Sequence, residues 1–192
     1  MSGKKQFDEA VVLDSAMEVF WQHGFEGTSI LQLQEATGLN KSSLYNAFEN
    51  KQKLFETCLD RYSKNISSKL ITELDHPDYK TAIRGFFETM IARQEGGLVP
   101  KGCMVTYAEL ELGGKSNPCS TGLESNLDRV REAFKKRCQR AIAEGQLPRD
   151  TDSNAQSAML LAMARGIAVL SRGHSDIRLL KDALEGVLAR LG

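Results

Sequence analysis

Apolar residues recur at intervals of three and four along nearly the whole chain, and that spacing selects helix over strand. Near the start, Leu13, Ala16, Met17 and Phe20 fall at i, i+3, i+4 and i+7, one face of a helix over residues 7–23. The same period returns in Ile83, Phe86, Phe87, Met90 and Ile91, and again in Leu123, Leu127, Val130, Phe134, Cys138, Ala141 and Ile142. It closes the chain in Ile177, Leu180, Leu184, Val187, Leu188 and Leu191. Breakers punctuate these runs: Gly24, Gly38, Pro77, Gly96-Gly97, Pro100, Gly113-Gly114 and Pro148. No alternating strand pattern and no internal repeat interrupts them. The expectation is an all-α fold of about nine helices, within the reach of 192 residues of which 41% are hydrophobic.

Caps sharpen the boundaries. Thr28 or Ser29 can start a second, short helix, Asn40 a third, Asn50 a long fourth and Ser175 the last, because each offers a side-chain oxygen to an orphan backbone N–H. The fourth helix carries the stripe Leu54, Cys58, Tyr62, Ile66, Leu70 and Leu74, with Pro77 at its end. A short helix is expected from about Cys103 to Leu112.

Composition excludes several classes. Charged residues are 26% and the formal net charge is zero. No apolar run nears the roughly 20 residues of a membrane span, and residues 1–14 hold no apolar signal core, so a cytoplasmic protein with no membrane partner is expected. Cys58, Cys103, Cys119 and Cys138 are scattered without metal-ligand spacing, so no metal site is expected. The three histidines, His23, His76 and His174, all fall near helix ends. His76 and Asp78 flank Pro77, a weak pairing for a metal. HExxH, GxSxG and glycine-rich phosphate loops are absent, so neither a cofactor nor an enzyme is expected.

The segment from Asn40 to Phe48 is too short to be a stable helix alone, yet its outward side is neither apolar nor simply charged. With Leu44 and Phe48 facing inward at i and i+4, Ser42 and Asn46 point away, Ser43 and Tyr45 lie on the flanks, and Lys41 occupies the first turn. Two short helices joined through Gly38 and packed on a longer first helix describe a helix-turn-helix. In that arrangement Ser42 and Ser43 allow close approach to base edges, and Asn46 can pair with adenine N6 and N7. Lys41, Lys51 and the Tyr45 hydroxyl meet phosphate. Thr28 and Ser29 place a helix N-terminus against an anion. The bland alternative is a solvated helix face on a helical interaction module that never touches DNA.

Residues 28–55, TSILQLQEATGLNKSSLYNAFENKQKLF, resemble the signature of the TetR family of bacterial transcription regulators. The features that carry it are Thr28-Ser29, the Gly38 turn, Leu44-Tyr45, Phe48 and the entry from Lys51 to Phe55 into a long helix. The resemblance spans roughly residues 7–59. It implies a DNA-binding domain over residues 1–50, with its motif at about 29–48, and a ligand-binding and dimerisation domain over 51–192. It implies a homodimer that reads a palindromic operator in double-stranded DNA and a small-molecule inducer that releases it. Two departures stand out. Ala47 replaces a commonly aromatic residue, and residues 1–53 hold five lysines against seven carboxylates, a net −2 where such domains are usually basic. Lys4 and Lys5 could add an arm on phosphate.

By the same resemblance, Phe86, Phe87, Met90, Met104, Tyr107 and Met163 surround an inducer cavity; all six are equally ordinary core residues. Residues 152–171 are apolar almost all round, and Ala155, Ala158, Ala162, Gly166 and Ala168 permit close helix approach. A twofold four-helix interface through Ala158, Ala162, Leu184 and Leu188 is therefore expected, against the alternative of burial within one subunit. Cys103 follows Gly102 at a helix start near Lys101, which favours thiolate and raises a redox or electrophile response; the ordinary reading is a small buried hydrophobe. A small helical enzyme remains the rival from a different class.

Overall fold

The structure, a computed structural model, describes residues 7–95, 100–113, 120–173 and 176–191, apart from the side chains of Ser120 and Thr121. Lys4, Lys5, Cys119, His174 and the cap expected at Ser175 lie outside these residues. Among the described residues there are nine helical rods and no strand. They are α1 (Glu9–Gly27), α2 (Ile30–Thr37), α3 (Lys41–Phe48), α4 (residues 51–75), α5 (Tyr79–Glu95), α6 (Met104–Leu112), α7 (Ser120–Ala143), α8 (Ser153–Gly173) and α9 (Ile177–Leu188). Asp8 caps α1 and Asp176 caps α9, each through a side-chain oxygen that accepts a backbone N–H.

α4 changes its winding along its length. It is α-helical over Lys51–Tyr62, π-helical over Ser63–Ser67, α-helical again over Ser68–Thr72 and 3-10 over Glu73–Asp75. The Ser68 N–H reaches back to the Ser63 carbonyl, the i→i+5 bond of a π turn. The cause is legible in the stripe. Apolar residues spaced strictly by four over-rotate by about 40° per step at 100° per residue, and the wider turn takes back part of that drift. Cys58, Tyr62, Ile66 and Leu74 all end up buried.

Two apolar cores result. The first gathers α1 to α4 up to Ile66, and it also takes Met104, Val105, Ala108 and Leu112 from α6. Phe20 and Phe25 both meet Phe55, and Trp21 meets Tyr62 edge-on at 5.0 Å. The second gathers α5, α7, α8 and α9 around Phe86, Phe87 and Phe134. Cys103 packs against both.

α1 is broken near its end by Gly24, whose φ of 76° and ψ of 179° are open to glycine but strained for other residues. The break strips helical partners from groups on either side of it. The Glu111 carboxylate on α6 accepts from the Phe25 and Glu26 N–H groups, both at 2.7 Å. The Arg172 guanidinium on α8 donates to the Trp21 and Gln22 carbonyls at 3.3 and 2.6 Å. Two charged side chains from the C-terminal half thus complete the backbone of the first helix.

α8 has one buried side, through Leu160, Ala164, Ile167 and Ala168. Its other side is exposed although apolar: Ala155, Ala158, Met159, Ala162, Gly166 and Val169 form a stripe, with Met159 and Val169 exposed at 41% and 44%. On α9, Leu179 (46% exposed) and Ala183 are also open. Leu184 and Leu188 are not available for a subunit contact: at 2% and 5% exposure they are packed in the second core of their own chain. The helical period of α9 holds, and its apolar side faces its own subunit.

Asp14 on α1 takes both Nε and Nη2 of Arg61 on α4, each at 2.6 Å, and these bonds hold its carboxyl below the usual carboxylate range. A carboxylate with a lowered folded pKa stabilises above its unfolded pKa of about 4 and loses that contribution as pH falls through the folded value. Asp14→Asn is expected to be less stable than the parent at pH 7, with the gap closing below about pH 4, as thermal melts across the range would show. A second outcome concerns Glu49, which sits at φ 64° and ψ −58° with the Asn50 N–H donating to the Phe48 carbonyl, a strained γ-turn. Glu49→Gly should raise unfolding stability by about 1 kcal/mol in denaturant titrations.

Candidate DNA interface and inducer cavity

α2 opens with a reciprocal cap. The Gln32 N–H donates to the Ser29 hydroxyl at 3.2 Å, and the Ser29 N–H donates to the Gln32 side-chain oxygen at 2.8 Å. Gly38 closes the helix in the left-handed region, and Asn40 opens α3 by accepting the Ser43 N–H at 2.8 Å. Leu33, Leu44 (1% exposed) and Phe48 (5%) plug into the first core. The γ-turn at Glu49 separates α3 from α4, so α3 protrudes as its own short helix.

Ser29, Lys41, Ser42 and Asn46 are exposed, and Ser43, Tyr45 and Lys51 are half-buried. Lys41 stands 5.6 Å from the Tyr45 ring and Lys51 4.7 Å from the Phe25 ring, so both cations are held at the edge of the apolar head. The Ser42 hydroxyl donates to Asn40 Oδ1 at 2.7 Å. Thr28 departs from the expectation. Its side chain is buried at 1%, and its hydroxyl donates to the Gly24 carbonyl at 2.6 Å, so it secures the kink and offers nothing outward.

A cavity of about 50 Å³ lies where α4, α5, α6, α7 and α8 converge. Phe86 and Met90 line it as expected; the other four candidates do not. Phe87 stacks on Phe134 in the second core, and Met104 belongs to the first. Met163 packs on the second core, and the Tyr107 hydroxyl donates to the Ala168 carbonyl with Arg172 over its ring. Helical period identifies a core-facing side but does not separate the residues that fill a core from those that border a gap.

The polar lining was not anticipated. Arg93, Gln94, Cys103, Thr106, Asn126 and Arg165 all reach the cavity. Arg165 donates to the Thr106 hydroxyl at 2.6 Å and to Glu109 at 3.3 Å, while its buried Nε has no partner. Burial raises the Glu109 pKa, and Arg165 opposes the shift. Asn126 donates to Ser63 and Ser67 on the π turn, so α7 is tied to α4 where the winding changes. One signal was available in the sequence: Arg165 is a lone cation inside the apolar run of α8.

Cys103 is the N-cap residue of α6, half-exposed, and its nearby cation is Arg165 at 4.0 Å rather than the exposed Lys101. The glycine before it has a backbone reason. Gly102 sits at φ +83°, and a Cβ there would come within 2.5 Å of the Tyr107 ring and 2.9 Å of the Ala168 carbonyl. Cys58 and Cys138 are buried, and burial raises both thiol pKa values. Among the described residues no cluster suited to a metal ion is present, and no helix is long and apolar enough to cross a membrane.

Comparison with known proteins covers both halves of the chain. Residues 12–58 match the bacterial regulatory proteins of the tetR family, and residues 80–187 match the tetracyclin repressor-like C-terminal domain. The HTH-type transcriptional repressor ComR of Escherichia coli is 30% identical over 195 residues, 97% of this chain and 90% of that protein. The HTH-type transcriptional regulator YezE of Bacillus subtilis is 27% identical over 193 residues, with both chains covered in full. Among solved structures, a cysteine-substituted CifR bound to 26-bp double-stranded operator DNA has a TM-score of 0.91 at 28% identity, covering 97% of each chain. With α3 protruding from the head and family matches over residues 12–58 and 80–187, the chain belongs to the TetR family of DNA-binding transcriptional regulators.

Proposed function

We propose that the protein is a homodimeric repressor that binds a palindromic operator through α2 and α3 of each subunit and leaves it when a small molecule enters the cavity. The observation that carries the reading is the division of α3. Leu44 and Phe48 fix it from behind, while Lys41, Ser42 and Asn46 are exposed on the outside. A helix held this way can enter the major groove N-terminus first. Likeness to the operator-bound CifR supports it. The subunit contact is assigned to the exposed stripe Ala155, Ala158, Met159, Ala162, Gly166 and Val169 of α8, with Leu179 and Ala183 of α9. An apolar stripe of that kind is poorly suited to water, and small residues let two helices approach closely.

The direct test is selection of operator DNA from random sequence, followed by gel shifts. A bound complex whose affinity falls steeply with salt is expected, because phosphate contacts dominate; no salt-sensitive complex with any selected sequence would overturn the reading. Asn46→Ala should lose about 1–3 kcal/mol of base discrimination at one operator position while its thermal melt matches the parent. Ala162→Glu, a charge placed on the α8 stripe, should give a monomer by light scattering and weaken operator binding without unfolding the head. A thiol signal through Cys103 draws only on the sulfur's place in the cavity beside Arg165. If Cys103→Ser responds to oxidants and electrophiles as the parent does, that second reading fails.

A further inference from the structure

The ionised side chains that line the cavity carry charge of one sign. Two guanidinium groups, Arg93 and Arg165, border it, and among the described residues no carboxylate does. The amides that line it are already engaged. Gln94 accepts the Gly102 N–H at 2.8 Å and donates to the Met90 carbonyl at 3.4 Å, and the Asn126 NH2 is spent on Ser63 and Ser67. Arg165 is half-satisfied, by Thr106 and by Glu109 behind it, and keeps an unpartnered Nε. Arg93, half-exposed, makes no hydrogen bond or ion pair with any described residue. Much of the remaining wall is apolar, through Ile66, Leu70, Phe86, Met90, Val130 and Leu161, with Tyr62, Ser67 and Cys103 among them.

A lining of this kind specifies its occupant. Guanidinium groups match carboxylate geometry, and charge-assisted hydrogen bonds are about twice as strong as neutral ones. Away from bulk water the contrast between an anion and a neutral molecule widens, most at the more buried Arg165. Apolar walls reward a hydrocarbon tail by taking it out of water. The vacant space, about 50 Å³, suits a short molecule as it stands. A longer tail has to displace Met90 or its neighbours.

We infer that the inducer of this regulator is a small organic monocarboxylate, its carboxylate held between Arg93 and Arg165 and its short apolar tail against Phe86, Leu70 and Leu161. The inference rests on the regulator reading above and names the chemistry of its signal. The site also explains how a signal would leave the cavity. Arg165 holds Thr106 and Glu109 of α6, and two residues further along, Glu111 of the same helix holds the N–H groups that follow the Gly24 break in α1. A carboxylate that competes for Arg165 acts on the helix that completes α1.

Isothermal titration calorimetry of the full chain with propionate, butyrate, hexanoate and benzoate, beside their amides, tests the class. The acids should bind about tenfold or more tightly than the matching amides, and should dissociate the selected operator in gel shifts. Arg93→Gln should lose about tenfold or more in carboxylate affinity with operator binding and thermal melt unchanged, and Arg93→Lys should keep most of it. The inference is overturned if amides bind as well as acids, if Arg93→Gln binds the acids normally, or if no acid binds at about 10 mM, the weak end of specific affinity. It is also overturned if bound acid leaves the operator complex intact. A protein that takes the acids but no DNA of any sequence would instead refute the regulator reading and leave the ligand chemistry standing.

Discussion

The break in α1 at Gly24 is the constraint on which the arrangement of the molecule turns. A helix that stops abruptly leaves carbonyls on one side and N–H groups on the other without partners. Here both sets are met by ionised side chains from the other half of the chain, Arg172 to Trp21 and Gln22, Glu111 to Phe25 and Glu26. Hydrogen bonds with one ionised partner are stronger than neutral ones, and they are directional. The head is therefore tied to α6 and α8 by defined bonds as well as by apolar contact. Thr28 adds an inner bond to the Gly24 carbonyl and fixes where α2 begins. The position of α3 follows from this chain of restraints.

Much of the fold was legible because helical period, breakers and caps agree with one another. The stripes of α1 and α5 are legible from spacing alone and are buried, and those of α7 and α9 are buried apart from the half-buried Leu127, Ile142, Ile177 and Val187. Asn40 and Asn50 cap as their chemistry suggests. Interiors were harder. Phe87 and the cavity-lining Phe86 stand side by side in the sequence, both are buried and both pack on Phe134, and only the edge that Phe86 shows to the cavity separates them. Thr28 reads as a helix start, and its hydroxyl is drawn inward by a carbonyl four residues before it, released by a break whose geometry the sequence does not state.

Charge was the least legible property. Glu111, Arg172, Arg165 and Asn126 have no local pattern that marks them, since their partners lie 56 to 151 positions away. The one clue, a lone arginine in the apolar run of α8, points to a polar duty without naming it. The apolar surface of α8 was visible as composition, but composition does not say which side faces out. Leu184 and Leu188 were assigned to the wrong surface for that reason: a leucine that faces its own subunit and one that faces a neighbour look alike in a sequence.

Gly102 carries a consequence for how such a chain changes over generations. With a tyrosine ring edge and a main-chain oxygen occupying the space of a methyl group, no alternative residue fits unless α6 shifts away from α8. Neighbouring Lys101 is open to water and free to drift. Descendants of this protein can therefore retune the outer rim of the loop at will, while the glycine itself is a fixed point around which variation must work.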